Sequence, residues 1–248
     1  MVKPYGGGGA SDNSSGEHED GHDSEDGRDS GGASDSNDSY QLNLISMGEH
    51  SATHLGAPSH YGYSTSIDDF DNSLMVGKAL FIHCDQYAQR NIGASEIEKS
   101  LSNANPTLDA AENAGIQLVV IATGWAKHWG SESYFWGENR ASENFLLPAG
   151  LDISAIHFIF DKFHAQIIGI DGPNIDYGGA ALAGLRCGRE IARQGAFHLE
   201  NVALIPTDLP SLVDYILMPL RIAGGTGAPA RLIVGESLFE HYAKGCRA

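Results

Sequence analysis

Ile116-Gln117-Leu118-Val119-Val120-Ile121-Ala122 decides the fold class. Six of its seven residues are apolar and four are β-branched, which suits a short strand buried on both faces. Similar runs recur on either side, at 78–84, 166–171, 203–205, 215–220 and 230–235. Helical patterns fall between them. Residues 94–104 read as a helix with Ser95 as N-cap and Ile97 and Leu101 inward. A short helix over 109–114 ends at Gly115. Residues 152–163 place Ile153, Ile156, Ile159 and Phe160 on one face, and 180–194 form a last helix closed by Gly195. Apolar strands alternating with helices predict an α/β domain whose sheet faces are covered. With no repeat and no second linker, residues 41–248 are expected to form one folded domain.

Residues 1–40 are different. From 6 to 39 they are almost entirely Gly, Ser, Asp, Glu, Asn and Ala, with His18, His22 and Arg28. Without large apolar side chains, such a segment cannot offset its ordering entropy, so a disordered acidic tail is expected. Its ten acids against Lys3 and Arg28 give −8 of the chain's −17, leaving −9 on the remaining residues. That balance disfavours nucleic acid as a partner. The tail reads as a solvating segment, or as a tether for a basic partner; weak cation binding by its Asp, Glu and His clusters lacks the spacing of a calcium loop. No apolar leader and no run of about 20 apolar residues is visible, so neither secretion nor a membrane is expected. Cys84, Cys187 and Cys246 suggest no disulfide framework, and a cytoplasmic setting is the default.

The chemistry concentrates in His50-Ser51-Ala52-Thr53-His54-Leu55-Gly56-Ala57-Pro58-Ser59-His60. Three imidazoles within eleven residues, among small residues and a proline, suit a loop that folds ligands onto one ion. A polar surface loop that happens to hold histidines remains the plain alternative.

The segment resembles the signature of the cyclase family, which includes kynurenine formamidases and isatin hydrolases: His-x-Gly-Thr-His-x-Asp-x-Pro-x-His. Thr123-Gly124-Trp125, the stretch 169–176, the stretch 218–231 and Gly195 with Glu200-Asn201 resemble further family segments in the same order. The resemblance implies a swivelling β/β/α fold of the α/β class, assembled into homodimers or homotetramers. It implies a hydrolase that opens amide bonds with a divalent metal, zinc or manganese, one ion per chain. Carried over by position, the metal ligands are His54, His60 and Glu200, with His50 and Glu200 in catalytic roles. Two positions depart from the pattern. Gly56 stands where the family has an Asp, and Gly188 where it has a His. The family's first strand has no counterpart in residues 1–40, and Ser64 stands where some members carry a further His.

Two readings follow. One is a one-metal amidohydrolase of arylformamides or cyclic amides. The other is a catalytically degenerate member that binds a ligand or partner, because glycine offers nothing to ligate. On the second reading, Gly56→Asp with Gly188→His should raise metal affinity, and Glu49, His83 or Asp85 are substitute ligands if they lie nearby. Trp125, Trp129, Tyr134, Phe135 and Trp136 either line an aryl pocket or serve packing. Asp171, Asp176 and the glycine turns read as shaping loops rather than doing chemistry.

Overall fold

The structure is a computed structural model that describes residues 42–87, 91–102, 108–137, 147–178, 184–203, 205–206 and 208–239. The acidic tail, Cys246 and residues 180–183 of the last expected helix lie outside the described residues. Every strand and helix named below belongs to the unit Ser46–Ala248.

Seven strands close into a barrel: β1 (His54–Gly56), β2 (Val76–His83), β4 (Ile116–Ala122), β6 (Ile167–Ile170), β7 (Phe197–Glu200), β8 (Leu212–Pro219) and β9 (Gly227–Gly235). Around the barrel they run β1-β7-β6-β4-β2-β8-β9, and β9 pairs back onto β1. Strands β2, β4, β6 and β7 are parallel neighbours; β8, β9 and β1 complete the wall in antiparallel register. Two short strands, β3 (Asn91–Ile92) and β5 (Gly150–Leu151), pair separately. Among the described residues the helices are α1 (Ala94–Ser102), α2 (Leu108–Glu112), α3 (Glu132–Trp136), α4 (Ile153–Phe163) and α5 (Arg186–Arg193). Among the described residues no helix is long and apolar enough to cross a membrane.

Both sheet faces are buried, as the apolar strands require. Leu80, Ile82, Val119, Ile121, Ile168 and Ile170 pack outward under Ile97, Leu101, Ile156, Ile159 and Ile191 of the helices. Alternate residues of the same strands, with Leu55, Leu199, Tyr215 and Leu217, fill the barrel. Each such aliphatic side chain contributes about 1.5–3 kcal/mol on burial.

Several local expectations change. The histidine segment is not simply a loop: His54–Gly56 is a barrel strand, because it finds an antiparallel partner on each side. Residues 203 and 205 form no strand, and 204 lies outside the described residues. In a closed barrel each strand already has two neighbours, so a further apolar run has no edge to join. Ser95 sits inside the first turn of α1 and is not its cap; Glu96 takes the Gly93 N–H, and Ser154 Oγ takes the Ala94 N–H. In α4 the inward face is Ala155, Ile156, Ile159 and Phe163, while Ile153 and Phe160 are half-buried. Asp152 caps that helix, its Oδ1 accepting from Ser154 N at 2.8 Å and Ala155 N at 3.2 Å. Of the last expected helix, the described part runs Arg186–Arg193 and is preceded by Gly184 and Leu185 in left-handed conformations.

Candidate active site

Strands β1 and β7 pair His54 with Glu200, Leu55 with Leu199 and Gly56 with His198. Side chains alternate along a strand, so Leu55 and Leu199 enter the barrel while His54, Gly56, His198 and Glu200 share the outer face. A 3-10 turn, Pro58–Tyr61, follows β1 and ends at Gly62 (φ 89). It packs against α5 and brings His60 and Tyr61 over that face. The glycine-rich stretch 224–227 clamps this loop. Thr226 O accepts from Ala57 N at 2.9 Å, and Gly225 O accepts from Ile67 N at 2.9 Å and Ser59 Oγ at 3.3 Å.

His54 is 2% exposed and Glu200 6%. His54 Nδ1 lies 3.0 Å from the Ala52 carbonyl, which can only accept, so Nδ1 carries the proton and Nε2 the lone pair. Nε2 is buried, has no hydrogen-bond partner and lies 3.4 Å from Glu200 Oε2. Two electron-rich atoms facing each other away from water need a proton or a cation between them. Glu200 Oε1 is taken up by the Ile175 N–H at 2.8 Å. Burial pushes the Glu200 carboxyl up; a proton shared with His54 and the Ile175 N–H pull it the other way, and the net direction is below its ordinary value. Ala52 (φ 55) and Asn201 (φ 54), which flank the pair, are both left-handed. For Ala52 that conformation costs roughly 1–2 kcal/mol.

His50 is half-buried and lies against the pair, its ring 4.9 Å from His54 and 4.2 Å from His60. Thr226 Oγ1 donates to Glu49 Oε2 at 2.7 Å and lies 3.1 Å from His50 Nε2. Those hydrogen bonds, with the Thr226 N–H, hold the Glu49 carboxyl below its ordinary range, so it only accepts. The threonine proton is therefore committed to Glu49. His50 must donate through Nε2, leaving Nδ1 as its acceptor. Burial, then the neighbouring imidazoles, push the His50 ring down to about 4, so it is neutral near pH 7. His60 is exposed at the mouth.

The structure thus brings together all four residues expected from the sequence, His50, His54, His60 and Glu200. Of the substitute ligands, Glu49 orients His50 through Thr226, whereas His83 and Asp85 face each other at 3.9 Å. Asp171 accepts from Thr123 N and Oγ1 at 2.9 and 2.6 Å, and Asp176 from Cys187 N and Gly188 N at 2.8 and 3.1 Å. Both hold loops, the second capping α5. The aromatic stretch divides. Trp125 is fully buried and donates to Tyr134 O at 2.9 Å. Trp129 and Tyr134 line a cleft of about 420 Å³ with Ala52 and Asn201. Phe135 is exposed, and the Trp136 side chain lies outside the described residues.

Sequence reasoning missed His198 and Tyr61. His198 is 2% exposed, and burial pushes its ring down to about 4. Its place two residues before Glu200 was the available signal, since i and i+2 share a strand face. A Cβ on Gly56 would lie 2.1 Å from His198 Cε1 and Nε2, and one on Gly188 2.1 Å from the Tyr61 hydroxyl. The two glycines therefore leave no empty positions. Gly56→Asp with Gly188→His would collide with His198 and Tyr61, so the gain in metal affinity expected from the sequence is replaced by an expected loss.

A mixed α/β barrel with a buried imidazole–carboxylate pair on its wall is the class this fold and site define. The chain matches the putative cyclase family over residues 12–177 and belongs to that family. It is 27% identical over 197 residues to the kynurenine formamidase of Geobacillus thermodenitrificans (strain NG80-2), covering 78% of this chain and 79% of that protein. A solved isatin hydrolase bound to the product analogue thioisatinate superposes with a TM-score of 0.63 at 25% identity, covering 79% of this chain and 76% of that one. A structure described as a potential metal-dependent hydrolase with cyclase activity gives a TM-score of 0.56 at 20% identity, covering 77% and 81%.

Among the described residues no three His, Cys, Asp or Glu side chains already enclose a metal position. The formed nucleus is the His54–Glu200 pair. Its bare Nε2 and adjacent carboxylate oxygen are a donor set that fits a borderline divalent ion such as zinc or manganese.

Proposed function

We propose that the protein is a metal-dependent hydrolase that opens an amide bond, with an arylformamide or a cyclic aryl amide as substrate. The observation that carries this reading is the buried, unpartnered His54 Nε2 facing Glu200 Oε2 at 3.4 Å. His54, Glu200 and, at the open mouth, His60 would hold the ion. When bound, a divalent ion supplies a Lewis acid and a water of lowered pKa.

The chain's own residues supply the rest. The Ala52 carbonyl fixes the His54 tautomer, so the ring is presented as a donor without rearrangement. The Glu49–Thr226–His50 chain fixes the opposite tautomer on His50, whose Nδ1 would be left as a hydrogen-bond acceptor beside the ion held by His54 and Glu200. His60 at the exposed rim leaves an entry for substrate, and the Trp129–Tyr134 cleft beside Ala52 offers ring faces to an aryl group. The kynurenine formamidase and isatin hydrolase relatives support this substrate class. A homodimer or homotetramer is part of the same proposal; Met218, Leu220 and Ile233, exposed on and beside β8 and β9, are apolar residues such an assembly would cover.

The test is hydrolysis of N-formylkynurenine, simple arylformamides and isatin by protein loaded with zinc or manganese, followed by absorbance. Turnover that disappears in His54→Ala and Glu200→Gln supports the reading. Metal-loaded, folded protein that hydrolyses none of them would leave the degenerate, ligand-binding reading in its place.

A further inference from the structure

His54 Nδ1 faces two groups, the Ala52 carbonyl at 3.0 Å and the side-chain amide of Asn201 at 3.4 Å. The other end of that amide lies 2.8 Å from the Tyr134 hydroxyl, and the hydroxyl lies 3.1 Å from the Asp171 carbonyl. His54, Asn201 and Tyr134 are all buried, so their polar atoms must satisfy one another. The Asn201 backbone is clamped as well. Its N–H donates to Gly172 O at 2.9 Å and its carbonyl accepts from Thr53 Oγ1 at 2.6 Å. Its left-handed φ of 54 is one that asparagine adopts more readily than most residues.

The protons in this chain of contacts can be assigned one by one. The Ala52 carbonyl only accepts, so His54 Nδ1 carries a proton whether or not Nε2 does. With Oδ1 toward Tyr134 and Nδ2 toward His54, the Asn201 amide would set N–H against N–H. It would also ask the single tyrosine proton to serve two oxygens. A half-turn of the amide removes both conflicts. Oδ1 then takes a share of the His54 proton, Nδ2 donates to the Tyr134 hydroxyl, and the tyrosine proton goes to the Asp171 carbonyl. We infer that Asn201 and Tyr134 are positioning residues for His54: the amide oxygen, held in place by the tyrosine hydroxyl, keeps a ring proton on Nδ1 and Nε2 turned toward Glu200. A phenylalanine at 134 would fill the same space but could not set the direction of the amide. Tyr134 and Asn201 also line the cleft beside Ala52, so the same contacts tie the wall of the expected aryl site to the buried pair. The assignment rests on these contacts; its consequence for a bound ion rests on the metal-dependent reading proposed above.

The experiment is NMR on the metal-free, isotope-labelled full chain, with the His54 ring signals identified by their loss in His54→Ala. Strong NOEs are expected from the Asn201 Nδ2 protons to the Tyr134 ring. Tyr134→Phe and Asn201→Ala should each shift the His54 Nδ1–H signal and speed its exchange with water. Asn201→Asp keeps an oxygen at that place and should keep the proton protected. Circular dichroism confirms that each variant is folded, and Tyr134→Phe carries the test if Asn201→Ala is not. A His54 signal unchanged in the folded variants would overturn the assignment, as would NOEs from the Asn201 Nδ2 protons to His54 Nδ1–H in place of Tyr134. Calorimetric titration with Zn²⁺ is the second arm. Affinity should fall about tenfold in Tyr134→Phe and Asn201→Ala and stay near wild type in Asn201→Asp. Equal zinc affinity in all four proteins would overturn the positioning role. Wild type that binds no zinc would overturn the metal reading, and the NMR arm would still decide the assignment.

Discussion

Gly56→Ala is the sharpest perturbation of this site. Gly56 is not among the residues with positive φ, so alanine meets no backbone penalty. Reduced freedom in the unfolded chain alone would stabilise the variant by about 0.4–1 kcal/mol. Against this stands the Cβ 2.1 Å from the His198 ring, well inside the 3.4 Å where ordinary contact begins. The ring must shift by on the order of 1 Å inside a packed site, an overpacking cost of about 1–3 kcal/mol. The net expectation is a loss of about 1–2 kcal/mol, seen as a Tm lower by roughly 2–8 °C for a domain of this size. The decisive comparison places Gly56→Ala in a His198→Ala background, where the clash is absent. There the substitution should be neutral or raise stability by up to about 1 kcal/mol, a coupling of about 2 kcal/mol between the two positions. Differential scanning calorimetry of the four proteins in metal-free buffer measures it. Equal effects of Gly56→Ala in both backgrounds would refute the idea that this glycine exists to make room for the ring.

Gly188→Ala should behave the same way toward Tyr61, lowering Tm in wild type and far less in a Tyr61→Ala background; Tyr61→Phe should give little relief, because ring Cζ would still lie 2.4 Å from the new Cβ. Gly150→Ala should be worse, about 3 kcal/mol or more by chemical denaturation, because its Cβ would sit 2.2 Å from the Tyr177 backbone nitrogen and the backbone cannot swing aside. Asp152→Ala removes the acceptor for two N–H groups of α4 and should cost about 1 kcal/mol, while Asp152→Asn retains most of it. Zinc at a hundredfold excess over its Kd should stabilise the protein by about 2.7 kcal/mol in a thermal melt. His54→Ala should abolish that shift; a shift that survives would place the ion elsewhere.

How much could be read in advance differs by element. The interior strands β4 and β6 were legible because their composition is dominated by burial, and α4 was legible in extent although its inward face takes Ala155 and Phe163 where Ile153 and Phe160 were expected. Strand β1 was not. His54-Leu55-Gly56 has one apolar residue between a histidine and a glycine, and only its partners β7 and β9 make it a strand. Residues 203 and 205 differ in the opposite direction, with strand composition and no free edge to join.

Composition and period along the chain were enough for the α/β class and the acidic charge of the body. The spacing of His50, His54 and His60 marked a candidate site, and Glu200 joined it only through the resemblance to the cyclase family. Only the tertiary structure decided what the two glycines mean. Residue 56 meets residue 198, and 188 meets 61, across distances in the chain that no local pattern spans. A glycine read in sequence is a missing side chain; beside its neighbour in space it is room for another one. The bare Nε2 of His54 belongs to the same category, since the Ala52 carbonyl holds the ring proton on Nδ1 and the carboxylate that faces Nε2 arrives on a separate strand.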